Sequence, residues 1–273
     1  VTRQSTPEVR TPSGSRPPDF VHRVGPGDEI DRSGDLPVIV DAATRTVRVQ
    51  ARGRFSPRRL AGDGWVTWAS WVNDTGAPIV SLATSWSVPA APSTDSGQTV
   101  FLFDALVDAA AQNIVQPVVW WGPAAVGGGS YWSAASWVVD ASGHVFHSDA
   151  VRVSTGRRLT GAITVELGRA APRCTCVFVE LPETRLAVNA EPDLVMATET
   201  LEAYGVGRDT DNPAADRSEM GAIALETGGA FDEIPWSVTD RVKDFGQHTV
   251  VVSRAAREGE VALCYRAARR EGK

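Results

Sequence analysis

The feature that most constrains this chain is a period of two. From Leu36 onward, strand-length runs rich in Val, Trp, Thr and Phe follow one another, each ended by Gly, Asp, Asn or Pro, and no amphipathic stretch of helical length persists between them. After a first hairpin at 37–41 and 46–50, the runs cover 65–73, 79–88, 98–106, 113–121, 130–139, 159–167, 175–181, 194–204, 219–226, 248–253 and 260–266. The breaks at Asn73–Gly76, Gly127–Gly129, Ser142–Gly143 and Glu258–Gly259 read as turns, and 105–112 has room for a turn of helix. Strands at this spacing, without intervening helices, predict an all-β fold: a two-sheet antiparallel β-sandwich or jelly roll.

Residues 1–35 have a different texture. Prolines 7, 12, 17, 18 and 26 stand among Ser, Arg, Asp and Gly, a composition that builds no core, so this segment is expected to be a Pro-rich flexible arm or tail on the domain. Residues 36–273 are then one sandwich domain, and a chain of 273 residues that is 42% hydrophobic has the means to fill it.

Charge excludes some partners. With 27 basic and 33 acidic residues, the longest basic runs are the pairs Arg58–Arg59 and Arg157–Arg158, too sparse for a phosphate backbone, so no nucleic acid is expected. No window approaches the ~20 apolar residues of a membrane-spanning helix. The N-terminal residues lack the apolar core of a secretory signal, and Val1 matches a literally translated GTG start in a GC-rich genome. The chain is therefore expected to be complete and cytoplasmic, or secreted if a signal has been removed. Cys174, Cys176 and Cys264 cannot all pair within the chain and read as small buried residues.

Eight of the nine tryptophans fall between Trp65 and Trp137. Strict alternation would put Trp65 and Trp71 on one face and Trp68 on the other. So many wide rings suggest a groove for a sugar, a peptide or an apolar small molecule. In the 113–121 run Gln116 shares its parity with Ile114, Val118 and Trp120, which sets an amide in an apolar row where it needs a partner or points into a cleft. In the 194–204 run, Met196, Thr198, Thr200, Glu202 and Tyr204 form one face, and Val195, Ala197, Glu199, Leu201 and Ala203 the other. The first set reads as a cleft face, the second as core with one carboxylate in it. Burial of either glutamate would raise its pKa toward the range of general acid/base work.

Other constellations carry less. His144 and His147, with Asp149, invite a metal reading, but a spacing of three sends the imidazoles to opposite faces of a strand. Ser130, Ser133 and Ser136 lack a His–Asp escort, and Gly127–Gly129 is not followed by the lysine and helix of a phosphate loop. No metal, nucleotide or other cofactor is expected.

The segments TWASWVN, SWSVP, QTVFLF, QPVVWWG, GGGSYW, SAASWV and ETLEAYGV, between Trp65 and about Tyr204, resemble a family of concanavalin A-like sandwich proteins from fungi and bacteria. In three short patches the chain is similar to the eqolisins, the glutamic peptidases. The resemblance implies two large antiparallel sheets with a concave active face. It sets Asp104 on the Asp of an Asp-Gly turn, Gln116 on the catalytic Gln, and Glu199 or Glu202 on the catalytic Glu. It further implies that the Glu activates water and the amide stabilises the oxyanion. Ala105 stands in place of the turn Gly, and Ser136 where the peptidases carry a supporting Glu. Asp104, Trp120, Trp132, Ser136 and Tyr204 are the expected substrate-binding residues beside Gln116 and the glutamates. The implied function is a glutamic-peptidase-like hydrolase on a peptide or small molecule. A cofactor-independent cyclase or isomerase, and a non-catalytic carbohydrate- or ligand-binding sandwich, are the alternatives.

Overall fold

A computed structural model describes residues 8–55, 64–167, 172–189 and 193–267. The Arg58–Arg59 pair and the first residues of the arm lie outside them. Two large sheets face each other. The nine-stranded sheet runs in the order Ser237–Asp240, Trp65–Val72, Leu194–Tyr204, Thr99–Asp108, Ile114–Ala124, Gly127–Val139, Val145–His147 and Val21–Arg23, with Val151–Val153 also pairing Gly127–Val139. The ten-stranded sheet runs His248–Ser253, Gly259–Cys264, Arg217–Thr227, Ile79–Ser87, Arg158–Glu166, Arg173–Phe178, Leu181–Asn189, Asp28–Asp31, Val38–Asp41 and Val47–Gln50. The expected sandwich is present, and the 105–112 region is strand to Asp108 followed by a turn.

Between the sheets lies one apolar cluster to which both contribute: Leu102, Leu106, Val119 and Leu201 from one side, Trp86, Leu159, Ile163 and Phe178 from the other. The three cysteines are buried thiols, with Cys174 and Cys176 in this interior. Close approach of the layers explains Gly161 in mid-strand. A Cβ there would stand 2.5 Å from Asp104 Oδ1 and 2.5 Å from Pro117 Cγ. A second apolar cluster draws only on the nine-stranded sheet: Trp65, Phe101, Phe103, Ala105, Ile114, Val118, Trp120, Ala135 and Trp137. This is the sheet's outer face, and its rings are buried although it is turned away from the ten-stranded sheet.

The tryptophan run departs from alternation. Leu201 is level with Thr67 but Glu202 is level with Trp65, so Val66 is an extra residue, a β-bulge. The bulge brings Trp65 and Trp68 onto the outer face together, edge to face at 5.3 Å, while Trp71 turns inward to stack on Phe231. Leu181–Asn189, Val145–His147, Val151–Val153 and Ser237–Asp240 go beyond the runs read from sequence. Three of these are only three or four residues long, too short to show a period, and Leu181–Asn189 begins with Pro182, Glu183 and Arg185 facing out.

The N-terminal segment is also built in more firmly than its composition implies. Val21–Arg23 adds a parallel strand to the nine-stranded sheet and Asp28–Asp31 one to the ten-stranded sheet, so residue 36 marks no boundary in the fold. Its composition is poor in core residues, but its backbone hydrogen bonds are completed by edges that the domain offers.

A histidine pair fastens this segment. His144 Nε2 lies 3.1 Å from the Gly53 carbonyl, which only accepts, so Nε2 carries the proton and Nδ1 accepts from His22 Nε2 at 2.8 Å. Burial, then His144 and His147, push His22 down to about 4 against the pull of Asp19. The docked segment therefore binds fewer protons than a detached one, and its hold is intact above the ordinary histidine pKa near 6.5 and weakens as pH falls toward 4. Hydrogen exchange of the Val21–Arg23 amides is expected to quicken between pH 6.5 and 4, after correction for intrinsic rates, and His22→Gln is expected to flatten that dependence.

Candidate functional site

The outer face of the nine-stranded sheet carries the polar groups that need explaining. Gln116 is fully buried there, and neither its Nε2 nor its Oε1 has a hydrogen-bond partner among the described residues. Val115 is level with Leu106 and Val118 with Phe103, which brackets Gln116 against Ala105, and Ala105 is in turn level with Thr198. On the other side Gln116 is level with Trp137. The small Ala105 stands between the amide and the Thr198 and Thr200 side chains, whose hydroxyls bond each other at 2.8 Å. A buried amide without partners costs on the order of 1–3 kcal/mol unless water or a ligand meets it.

Glu202 shares this face but not this row. It is level with Phe101, Phe101 with Trp120, and Trp120 with Ser133. Gln116 and Glu202 are thus two strands apart across the sheet and four positions apart along it, about 10 Å by about 13 Å between backbones. The Glu202 carboxyl is fully buried and accepts from the Tyr204 hydroxyl at 2.5 Å and from the Ser13 N–H, whose nitrogen is 2.8 and 3.0 Å from the two oxygens. Burial pushes it up to about 8, while the Tyr204 hydroxyl, the Ser13 and Gly14 amides and the nearby Arg16 guanidinium pull the other way. Tyr204 itself packs edge to face on Phe101 at 6.3 Å.

Other residues expected at the site face away from it. Glu199 points between the sheets, where Thr84 of the opposite sheet donates to its Oε1 at 2.7 Å. Asp104 is its cross-strand neighbour on the same inner face, with both oxygens unpartnered among the described residues. Trp132 and Ser136 also point inward, Trp132 onto Trp121 at 5.7 Å and Ser136 beside the Cys176 thiol. The reason is register. Gln116 is level with Trp137 and Trp120 with Ser133, so the odd residues of Gly127–Val139 share their face and Trp132 and Ser136 do not. The expected cleft set thus divides: Gln116, Trp120, Glu202 and Tyr204 are on the outer face, and Asp104, Glu199, Trp132 and Ser136 are inside. The Trp65–Trp68 pair, brought there by the bulge, joins the outer face, and an irregularity in its strand pairing is what strict alternation cannot anticipate.

The inner pair has its own consequence. Burial raises both carboxyls well above the ordinary range, and Asp104 raises Glu199 further. The folded chain therefore holds protons that the unfolded chain releases, and this stabilisation, present below about pH 4, is lost as pH rises. Asp104→Asn and Glu199→Gln, which keep the shape without the charge, are each expected to raise the Tm at pH 8 by at least about 3 °C. At pH 4 each is expected to change it little, as read by calorimetry at the two pH values. Among the described residues no three His, Cys, Asp or Glu side chains form a metal-binding group, and no helix is long and apolar enough to cross a membrane.

No protein family and no curated protein matches the chain by sequence. Among solved structures, scytalido-glutamic peptidase with a transition-state analogue inhibitor is similar over 74% of this chain and 98% of its own, at TM-score 0.50 and 9% identity. SCP-B, a member of the eqolisin family of peptidases solved with the tripeptide Ala-Ile-His, is similar over 73% and 98%, at TM-score 0.45 and 9% identity. A toad ovary galectin with thio-digalactose is similar over 50% and 91%, at TM-score 0.29 and 12% identity. The likeness to the glutamic peptidase is one of fold: this chain has the two-sheet sandwich that the eqolisin resemblance implied.

Proposed function

We propose that the outer face of the nine-stranded sheet is a substrate site and that the protein is a glutamic-peptidase-like hydrolase in which Glu202 moves the proton. The observation that carries this reading is a buried acid, raised to about 8, on the same aromatic face as an amide with no hydrogen-bond partner among the described residues. A carboxyl that exchanges its proton near neutrality can deprotonate a water and then protonate a leaving amine. Gln116 takes a different part from that implied by the resemblance. At about 10 by 13 Å from Glu202 it does not share a water with it, so it serves as a donor and acceptor for the substrate's own backbone, with Thr198 and Thr200 beside it. Trp65, Trp68, Trp120 and Trp137 wall the face and favour a partly apolar ligand.

One feature supports a second reading. The residue level with Gln116 two strands away is Thr198, a hydroxyl where a Gln/Glu pair acting on one water would need a carboxyl. A face that grips a peptide or small molecule without turnover fits that arrangement.

The two readings part under assay. Cleavage of unfolded casein and of a mixed peptide library is measured from pH 3 to 8. The hydrolase reading expects cleavage, a kcat lowered about 100-fold or more in Glu202→Gln, and a raised KM with little change in kcat in Gln116→Ala. No cleavage at any pH by correctly folded protein would remove the hydrolase. Binding of the same peptides without cleavage would favour the second reading.

A further inference from the structure

The hairpin Val9–Thr11 and Gly14–Arg16 belongs to neither large sheet, yet Thr11, Ser13 and Arg16 are 0, 2 and 2% exposed. Its turn reaches the outer face at Glu202. The Ser13 N–H is shared by both carboxyl oxygens, at 2.8 and 3.0 Å, and the Gly14 N–H adds to it. The Arg10 carbonyl accepts from the Ala125 N–H at 2.7 Å, and the Arg10 guanidinium bonds the Gly97 carbonyl at 2.6 Å and Thr99 Oγ1 at 2.9 Å. Arg16 Nε donates to the Gly143 carbonyl at 3.2 Å. Successive amides on a carboxylate, and a carbonyl on the N–H of the Ala125 turn, are contacts of the kind that a bound peptide makes. Ser13 holds φ +71°, a left-handed conformation that a residue with a Cβ adopts at a cost, which the docked contacts help to offset together with the hairpin's own pairing.

We propose that the Val9–Arg16 hairpin is an internal peptide ligand, which occupies the Glu202 site in cis and has to lift before an external peptide can enter. The proposal rests on reading the outer face as the site. It makes the chain self-covered, and it defines the external ligand as a peptide turn that offers consecutive N–H groups to Glu202.

The test uses the full chain. Ser13→Pro removes the donor N–H and fixes φ near −65° where +71° is needed. Arg10→Ala removes the anchor on Gly97 and Thr99 without touching the turn, and serves if the first variant folds poorly. The probe is a fluorescein-labelled peptide of residues 8–16. It is expected to bind Ser13→Pro at least ten-fold more tightly than wild type, with Arg10→Ala between them, and to lose that gain when Glu202→Ala is added. Trypsin is expected to cleave after Arg10 at least ten-fold faster in Ser13→Pro than in wild type. Equal peptide affinity across all three chains, with equal trypsin rates in wild type and Ser13→Pro, would overturn the proposal. The outcome is separable from the hydrolase reading: cis occupancy without any cleavage of peptides sinks the hydrolase alone, and cleavage at one rate by wild type and both variants sinks the hairpin alone.

Discussion

In the strand Leu194–Tyr204 the two glutamates are three positions apart, and an odd separation sends their carboxyls to opposite faces of the sheet. Much of the chemistry of this molecule depends on that. Glu199 is committed to the layer between the sheets, where Asp104 beside it and Thr84 opposite are its polar company. Glu202 is committed to the outer face, among Phe101, Trp120 and Tyr204, where the hairpin turn meets it. Were the register to slip by one, the two would exchange places, and apolar residues now inside, Ala197 and Leu201 among them, would turn outward. The burial of the inner face is what fixes the choice.

The two faces have opposite requirements. The inner face is closed by the second sheet, and burial there raises both of its carboxyls well above the ordinary range. The outer face is turned away from the ten-stranded sheet, and the hairpin at Glu202 lies on it, fastened by a few polar contacts rather than by a core. Covers of that kind open at low free-energy cost compared with the sandwich itself. A face of this sort can be both buried in the resting chain and usable, whereas the inner face cannot.

Much of this was legible in residue order. The period of two, the wide spacing of Gly, Asp and Asn, and the parity of Gln116 with Trp120 and of Glu202 with Tyr204 are sufficient for the sandwich and for which of these side chains share the outer face. What failed were inferences between strands. The parity of Ser136 and Trp132 against Gln116 depends on which residues stand level, and a run with Gly at 127, 128 and 129 gives no internal clue to that register. The bulge at Val66 is likewise invisible in a sequence that alternates on both sides of it. The N-terminal segment was underrated because its apolar content is low; it is held by unpaired edges, buried polar side chains and a carboxyl far along the chain, none of which leaves a local signature.

Parity and burial separate the acids: Glu202 exchanges its proton near neutrality on the outer face, while burial inside raises Asp104 and Glu199 well above the ordinary carboxylate range. Carbon-detected NMR titration of the carboxyl resonances of wild-type protein addresses this directly, with Glu199→Gln and Glu202→Gln for assignment. The expected result is a Glu202 midpoint at about 8, with the Asp104 and Glu199 midpoints well above their ordinary values. A Glu202 midpoint near 4.5, the ordinary value for glutamate, with the inner pair also titrating at ordinary carboxylate values, would contradict the account.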